Sequence, residues 1–480
     1  MSERHSLLVG FLCLSTFAAA AQMMPSNAAP AAKIGADSTS VEAARNVPDP
    51  QHNAVATAWI DAAEKKLLAN DVAGAVELLT QAKHLNDHER GLWLVTGDAD
   101  WLRGQMELAI EDYKKETARY PNNVLAYSRL ARAYLSQGEW ANAERADRDW
   151  AKTEPGNVVP RVALAYALMM TERYGESATA YAEAIALSKT PDMLKVKLGR
   201  AQLRSGQKEA GEATLRSLLS QSSDPEVLNG AAYELSEAGL DLPESEIAAH
   251  KAVGIVSDRS AATRLETASD NDLAQMPLLA ESWDTLGWII FKLHRLPEAE
   301  NYVRCAWLLG NHDEVGMHLG EIYEAEGKKG EAIATYRMAA GLIASQHPWP
   351  YYAQMKETML SRVAALQQAS GQPTAGPARA DTSAAEELRT YTIPNPVNGS
   401  AATADFLLHM TEGEVDGVRF LRGDPSLKVA EGTLKGTKYN AAVPNISRAR
   451  LLRRATVSCM PGAATCTLHL KGIFSARMEK

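Results

Sequence analysis

The sequence predicts a mostly α-helical solenoid of stacked helix-turn-helix units, followed by a small α+β domain. Three observations predict it. Small and aromatic residues recur every 34 residues from about residue 56. Glycine falls inside the periods and proline at their ends, where helices turn and stop. After a Pro- and Gly-rich stretch at 369–385 the helical periodicity gives way to short alternating segments. The composition allows a folded chain of several domains, since 46% of the 480 residues are hydrophobic and 23% are charged. The formal net charge of -9 is small for this length, so it points neither to nucleic acid nor to an anionic membrane.

The second copy of the repeat is the clearest, with Trp93, Gly97, Ala109, Tyr113 and Pro121. The third places Tyr127, Leu130, Ala131, Tyr134, Ala143 and Pro155 at equivalent positions, and the fourth has Leu164, Ala165, Tyr181 and Ala184. Late copies carry Trp283, Leu286, Gly287, Ala299 and Ala306, then Leu319, Gly320, Tyr323, Ala332, Tyr336 and Ala339. Copies fall at about 56–89, 90–123, 124–157, 158–191, 192–225, 280–313 and 313–346, with a weaker one near 226. Gly97, Ala131, Gly287 and Gly320 are expected where the two helices of a unit approach, because a larger side chain would hold them apart. Pro121 and Pro155 end second helices, since proline cannot continue them. Gly104, Gly138, Gly206 and Gly327 suit the left-handed turns within units. Between about 240 and 279 the register is lost while helical spacing persists, which predicts a long or broken helix pair. Trp349 to Gln368 reads as a final helix covering the apolar end of the stack.

These residues closely resemble the tetratricopeptide-repeat (TPR) family. The resemblance implies a stack whose first helices line a concave face that binds protein segments. Carried onto this sequence, the contact positions are Asp98, Trp101, Ser128, Arg132, Tyr166, Met170, Arg200, Arg204, Asp284, Trp288, Lys292 and Glu321. Arg132, Arg200 and Arg204 would hold a peptide carboxylate through paired N–H donors. Trp101, Tyr166 and Trp288 would supply apolar anchors, or else pack against the neighbouring unit. The stretch from Glu281 to Ile333 is also similar to the TPR segment of bacterial exported proteins that carry a transglutaminase-like core, but no such core is evident.

Residues 386–480 read differently. Ala404–Met410 and Val418–Leu421 alternate as strands around a turn at Gly413–Asp416, and Pro425–Leu434 suits a helix with Asp424 as N-cap. Leu451–Cys459 and Cys466–Leu470 form two further strands, and the spacing of Cys459 and Cys466 around Pro461-Gly462 suits a disulfide across a hairpin. The order strand–strand–helix–strand–strand, with GEVDGVRFLRGDPSLKVAEGTLKG, resembles the C-terminal domain of TonB-type energy transducers. It implies an alternative role as an accessory to outer-membrane transport. The basic run Arg448–Arg454 either marks a strand edge protected by charge, docks an acidic partner, or folds back on the repeats.

At the N-terminus, Leu7–Ala21 (LLVGFLCLSTFAAAA) is a short apolar run ending in an A-x-A pattern, which predicts a signal peptide over 1–21 cut after Ala21; an uncleaved anchor is the alternative. Cys13 would leave with it. Residues 22–54 then form a disordered arm, 55–368 the solenoid with its capping helix, 369–385 a flexible linker and 386–480 the terminal domain. Cys305 is expected as a buried, inert thiol. Catalytic patterns are scarce: Ser205 and Lys208 form an isolated S-x-x-K on a turn, and His84 and His88 make a poor metal pair at a helix end. Asn398 and Asn445 head glycosylation sequons. The reading is a non-enzymatic, periplasmic or secreted scaffold needing no cofactor or metal, whose partner is a protein or peptide of the cell envelope. An enzyme of unknown chemistry is the distant alternative.

Overall fold

The computed structural model describes residues 49–343, 350–370, 387–397, 401–439, 442–444 and 448–473. The signal peptide, most of the arm, most of the linker, Asn398 and Asn445 lie outside the described residues. The chain divides into two compact units at Gly211/Glu212, inside the repeat region.

The first unit consists of antiparallel helix pairs: α1 (Asp49–Leu68) with α2 (Val72–Leu85), α3 (Leu92–Leu102) with α4 (Met106–Arg119), α5 (Val124–Ser136) with α6 (Trp140–Thr153), and α7 (Val159–Met170) with α8 (Tyr174–Leu187). α9 (Asp192–Arg204) follows, and α10 (Lys208–Gln221) crosses the division. The expected arm is shorter at its end than read, because α1 already begins at Asp49. The helices stop where the prolines demand: α4 ends two residues before Pro121 and α6 two before Pro155. Gly104 makes its turn at φ +73°, a conformation that costs an L side chain 1–2 kcal/mol, roughly.

Each pair closes on a small residue of its first helix. A methyl group on Gly97 would sit 2.6 Å from the Tyr113 ring, so the glycine lets the ring lie flat against the helix backbone. In the pair α5/α6 the position equivalent to Tyr113 is Asp147, which is completely buried with neither carboxylate oxygen hydrogen-bonded. Burial raises its pKa well above the ordinary aspartate value.

The second unit holds α11 (Pro225–Glu237), α12 (Leu242–Ala262), a one-turn α13 (Asp270–Leu273), α14 (Gln275–Lys292), α15 (Leu296–Gly310), α16 (Asp313–Ala325), α17 (Lys329–Leu342) and α18 (Pro350–Ala369). The lost register near 240–279 is resolved here. α12 runs for 21 residues against 14 in α2, α4, α6 and α8, and α13 then leads directly into α14. Asp224 caps α11 through the Glu226 N–H with Pro225 in the first turn. Ser269 and Asp272 form a capping box on α13. α18 is the expected last helix, packed on α17.

The α+β region belongs to this same unit. Its five antiparallel strands are β1 (Thr390–Pro394), β2 (Ala402–Thr411), β3 (Glu414–Gly423), β4 (Leu451–Cys459) and β5 (Thr465–Leu470), in the order β1-β5-β4-β2-β3. Between β3 and β4 a 3₁₀ turn (Pro425–Val429), capped by Asp424 through the Ser426 N–H, leads into α19 (Ala430–Leu434). Four strands and the helical turn match the expected order. β1, an edge strand beside β5, is the element the sequence reading lacked, because five residues holding Pro394 carry little alternation. Cys459 and Cys466 face each other in the β4–β5 register and are disulfide-bonded. Cys305 is buried and burial raises its thiol to about 11, so it stays an unreactive thiol.

The basic run is not an edge device. β4 lies at the centre of the sheet, so the reading of a charge-protected edge is corrected. The run instead turns onto the helices. Arg453, 2% exposed, donates to the Leu309 carbonyl at 2.8 Å and to the Lys471 carbonyl at 3.0 Å. Arg389 adds donors to Gly310 O and Asn311 Oδ1. Two guanidinium groups thus meet the last carbonyls of α15, where partial negative charge accumulates. The extra length of α12 serves the same contact, since Ser260 exchanges hydrogen bonds with the Arg450 backbone. Arg419 binds the Glu266 and Ala268 carbonyls at 2.8 Å each, and Arg454 pairs with Asp270. One continuous apolar core runs from Leu228 through Trp283 and Ile289 to Phe406, Leu452 and Leu468.

Two outcomes test this account. Arg453→Ala leaves carbonyls unsatisfied and a void in the contact, at a cost of about 3–5 kcal/mol. Hydrogen exchange is expected to show lost protection in β4 and in the last turn of α15 together. Asp147→Leu is expected to stabilise the first unit by about 1–3 kcal/mol at neutral pH. Because the folded-state pKa is raised, the wild-type chain loses stability as pH climbs above about 3.9. The advantage of the leucine therefore grows from pH 4 upward in thermal melts.

Candidate partner-binding face

The twelve positions expected to line a groove fall into two different environments. On α3, α5, α7 and α9 they stay accessible. Asp98, Trp101, Ser128, Tyr166, Met170, Arg200 and Arg204 are half-buried, and Arg132 is exposed. Asp98 accepts from the Tyr113 hydroxyl at 2.8 Å and from Arg129 Nε at 3.0 Å. The Arg132 guanidinium lies over the Trp101 ring, 4.5 Å from its centroid, a cation–π contact that holds the charge in place. No carboxylate lies within ion-pair distance of Arg132 among the described residues. Arg204 bonds the Tyr174 hydroxyl, and Arg200 is engaged as well. Ser128 and Met170 lie on the same series of first helices.

In the second unit the expected groove is filled by the protein itself. Asp284 is fully buried, and His318 Nδ1 sits 3.1 Å and 3.0 Å from its two carboxylate oxygens. Trp288, 7% exposed, stacks on the His318 ring at 4.0 Å and donates its Nε1–H to Glu237 at 2.6 Å. Lys292 completes the Glu237 site at 2.8 Å and lies over the Trp288 ring. The Tyr233 hydroxyl donates to buried Glu314 at 2.9 Å. Trp288 and Asp284 therefore hold the interior together, and of the four positions only Lys292 and Glu321 keep accessible surface.

Burial alone would lower the His318 pKa. The Asp284 carboxylate outweighs it and, with Glu314 and Glu237, raises the imidazole to about 9. Burial pushes the Glu314 and Glu321 carboxyls up, against the pull of His318. His318, Tyr233 and Glu314 were not among the residues picked from sequence. A signal for them exists: Asp284 and His318 are 34 residues apart, which sets one beside the other on adjacent first helices. Arg129 and Arg132 lie 31 residues from Asp98 and Trp101, one helical turn short of a repeat, and pair in the same way.

The remaining sequence candidates are surface features. His84 and His88 are exposed, with His88 against Asp87 and Arg119. Ser205 caps its own helix through the Gln202 carbonyl. Among the described residues no group of three or more His, Cys, Asp or Glu is placed to hold a metal ion. Among them, too, no helix is long and apolar enough to cross a membrane.

No protein-family model matches the chain, and no curated protein matches it. Solved structures with a partial likeness include yeast Tom70, at 16% identity and a TM-score of 0.43 over 62% of this chain and 60% of that one. A tetratricopeptide repeat protein from Parabacteroides merdae matches at 10% identity and a TM-score of 0.42, over 65% of this chain and 99% of its own. The APC/C Cut9–Hcn1 assembly matches at 14% identity and a TM-score of 0.37 over 67% of this chain. This chain spans 58% of the length of that last relative. Matches at TM-scores below 0.5 add no argument, and the repetitive helix-pair solenoid rests on the helices and pairings described above.

The buried Asp284–His318 pair makes stability depend on pH. The folded-state imidazole titrates at about 9, above its unfolded value of about 6.5, so the pair's contribution is complete below pH 6.5 and is lost as pH rises through 9. His318→Gln is expected to cost about 3–5 kcal/mol at pH 6, by leaving Asp284 buried and unpaired. The gap to wild type in denaturant melts narrows by pH 10.

Proposed function

We propose that this chain is an exported scaffold that holds a protein or peptide segment against the first helices of residues 92–204. The carrying observation is Arg132, an exposed residue whose guanidinium is set over Trp101 and makes no ion pair among the described residues. An arginine so held offers paired N–H donors to a carboxylate of the guest at little further entropic cost. Arg200 and Arg204 extend the same series of helices, with Trp101 and Tyr166 as half-buried aromatic surface. The accessible state of these positions, against the filled interior around Asp284, favours this half of the repeats as the receiving face. Nothing in this activity requires a cofactor or a reactive centre.

Export is part of the proposal. It rests on the signal-like Leu7–Ala21 and is supported by the Cys459–Cys466 disulfide, which persists in an oxidising compartment such as the periplasm. The alternative role in TonB-type transport rests on the element order of the terminal region. It is weakened by β4, whose arginines are already engaged on the repeats.

The experiment is site-specific photocrosslinking in the native envelope, with the crosslinker at Ser128 on α5 or at Lys152 on the exposed side of α6. Capture of one defined protein from Ser128 and not from Lys152 is expected. Combining Arg132→Glu with Arg200→Glu and Arg204→Glu is expected to reduce that capture at least about tenfold, through repulsion of the guest's carboxylates. Far-UV circular dichroism is expected to stay unchanged. Equal capture by the triple variant overturns the assignment of the face.

A further inference from the structure

A cavity of about 240 Å³ lies where α12 and α15 meet the segment leading into β4. It is smaller than the 300–1,000 Å³, roughly, of sites for drug-sized molecules, so it suits a small metabolite. Tyr302 forms part of its wall. The ring is 2% exposed, yet its hydroxyl makes no hydrogen bond among the described residues. It is also absent from the sealed, unpaired atoms of the interior, so it opens onto the cavity. A buried polar group of this kind is costly unless something bonds it. Gly254 faces the same space, and a methyl group built on it would meet nothing within 4 Å.

The rim carries two opposite charges that do not meet. Arg448 and Asp258 are both exposed and both line the cavity. Neither has an ion-pair partner among the described residues, and they are not within ion-pair distance of each other. His250 stands edge-on to Tyr302 and is turned toward Glu246 at 3.6 Å, while Val253 supplies an apolar patch of wall. A guest with a carboxylate at one end and an ammonium a few ångströms away would satisfy all three open groups. A simple anion would leave Asp258 facing it, and a simple amine would leave Arg448.

We propose that this cavity binds a free α-amino acid, with its carboxylate on Arg448 and the Tyr302 hydroxyl and its ammonium on Asp258. Burial raises Tyr302 to about 12, so the phenol remains a proton donor at neutral pH. The small volume and the open space above Gly254 favour a short side chain. The contact ties α12 and α15 to the strand segment, so occupancy is expected to stabilise the second unit.

The test uses the full mature chain. Thermal shift with each common amino acid, followed by calorimetric titration of L-alanine and L-serine, is expected to show saturable binding. Propionate, ethylamine and alanylalanine, which carry one charge or hold the two apart, are expected to give none. Tyr302→Phe is expected to weaken binding about tenfold. The exposed substitutions Arg448→Gln and Asp258→Asn are each expected to abolish it without changing the apo melting temperature. Gly254→Leu fills the space and is expected to do the same. Absence of saturable binding by any amino acid at millimolar concentration overturns the proposal, as does binding unaffected by Arg448→Gln and Asp258→Asn. Binding of propionate equal to that of alanine would assign the cavity to anions instead.

Discussion

The close approach of paired helices over a residue with no side chain is the constraint on which the repeat architecture depends. At Gly97, Gly287 and Gly320 the partner side chains Tyr113, Val303 and Tyr336 occupy the volume a Cβ would need. Interiors packed at crystal-like density transmit such a contact as a fixed distance between helix axes. The interhelix distance in turn sets where the outer ends of the first helices stand. Asp147 shows the same rule from the other side. Ala131 narrows the space in its pair, and a small polar residue sits there without a partner.

Much of this was legible in the chain. The period, the small residues and the terminating prolines are local signals, and each has a steric cause that does not depend on distant residues. The pairs at separations of 31 and 34 were legible in principle, because a repeat converts sequence distance into lateral contact. What could not be read was the state of the concave positions. Asp98 and Asp284 lie one helical turn apart in their repeats, yet one is half-open and the other sealed. The difference comes from His318, which meets both Asp284 oxygens, and from Trp288 and Tyr233, whose rings lie against that imidazole. Burial of that kind depends on which side chains meet across units, and a single sequence does not state it.

The terminal region gives the sharper lesson. Alternation identified four of its strands, and the Cys pair identified the β4–β5 hairpin. Charge alone left three readings of the run holding Arg453 and Arg454: a guarded edge, a docking patch or a fold back onto the repeats, and the last matches the structure. In the fold one is buried on helix carbonyls and the other is paired to Asp270. Arginine can do this because its planar group satisfies several carbonyls at once and is weakly hydrated for a cation. A helix C-terminus is an acceptor site that no residue type announces, so its partner is invisible until the helix and the strand are both placed.

That contact also decides which fragments of the chain can stand alone. Removing the chain beyond about residue 370 would strip the cover from Met276 and free the carbonyls at the end of α15. The remaining sheet would in turn lose the partner of β4 at Leu452. Each piece would then carry a sticky, unmatched face. Binding seen with either half in isolation would report on that raw surface rather than on the native protein.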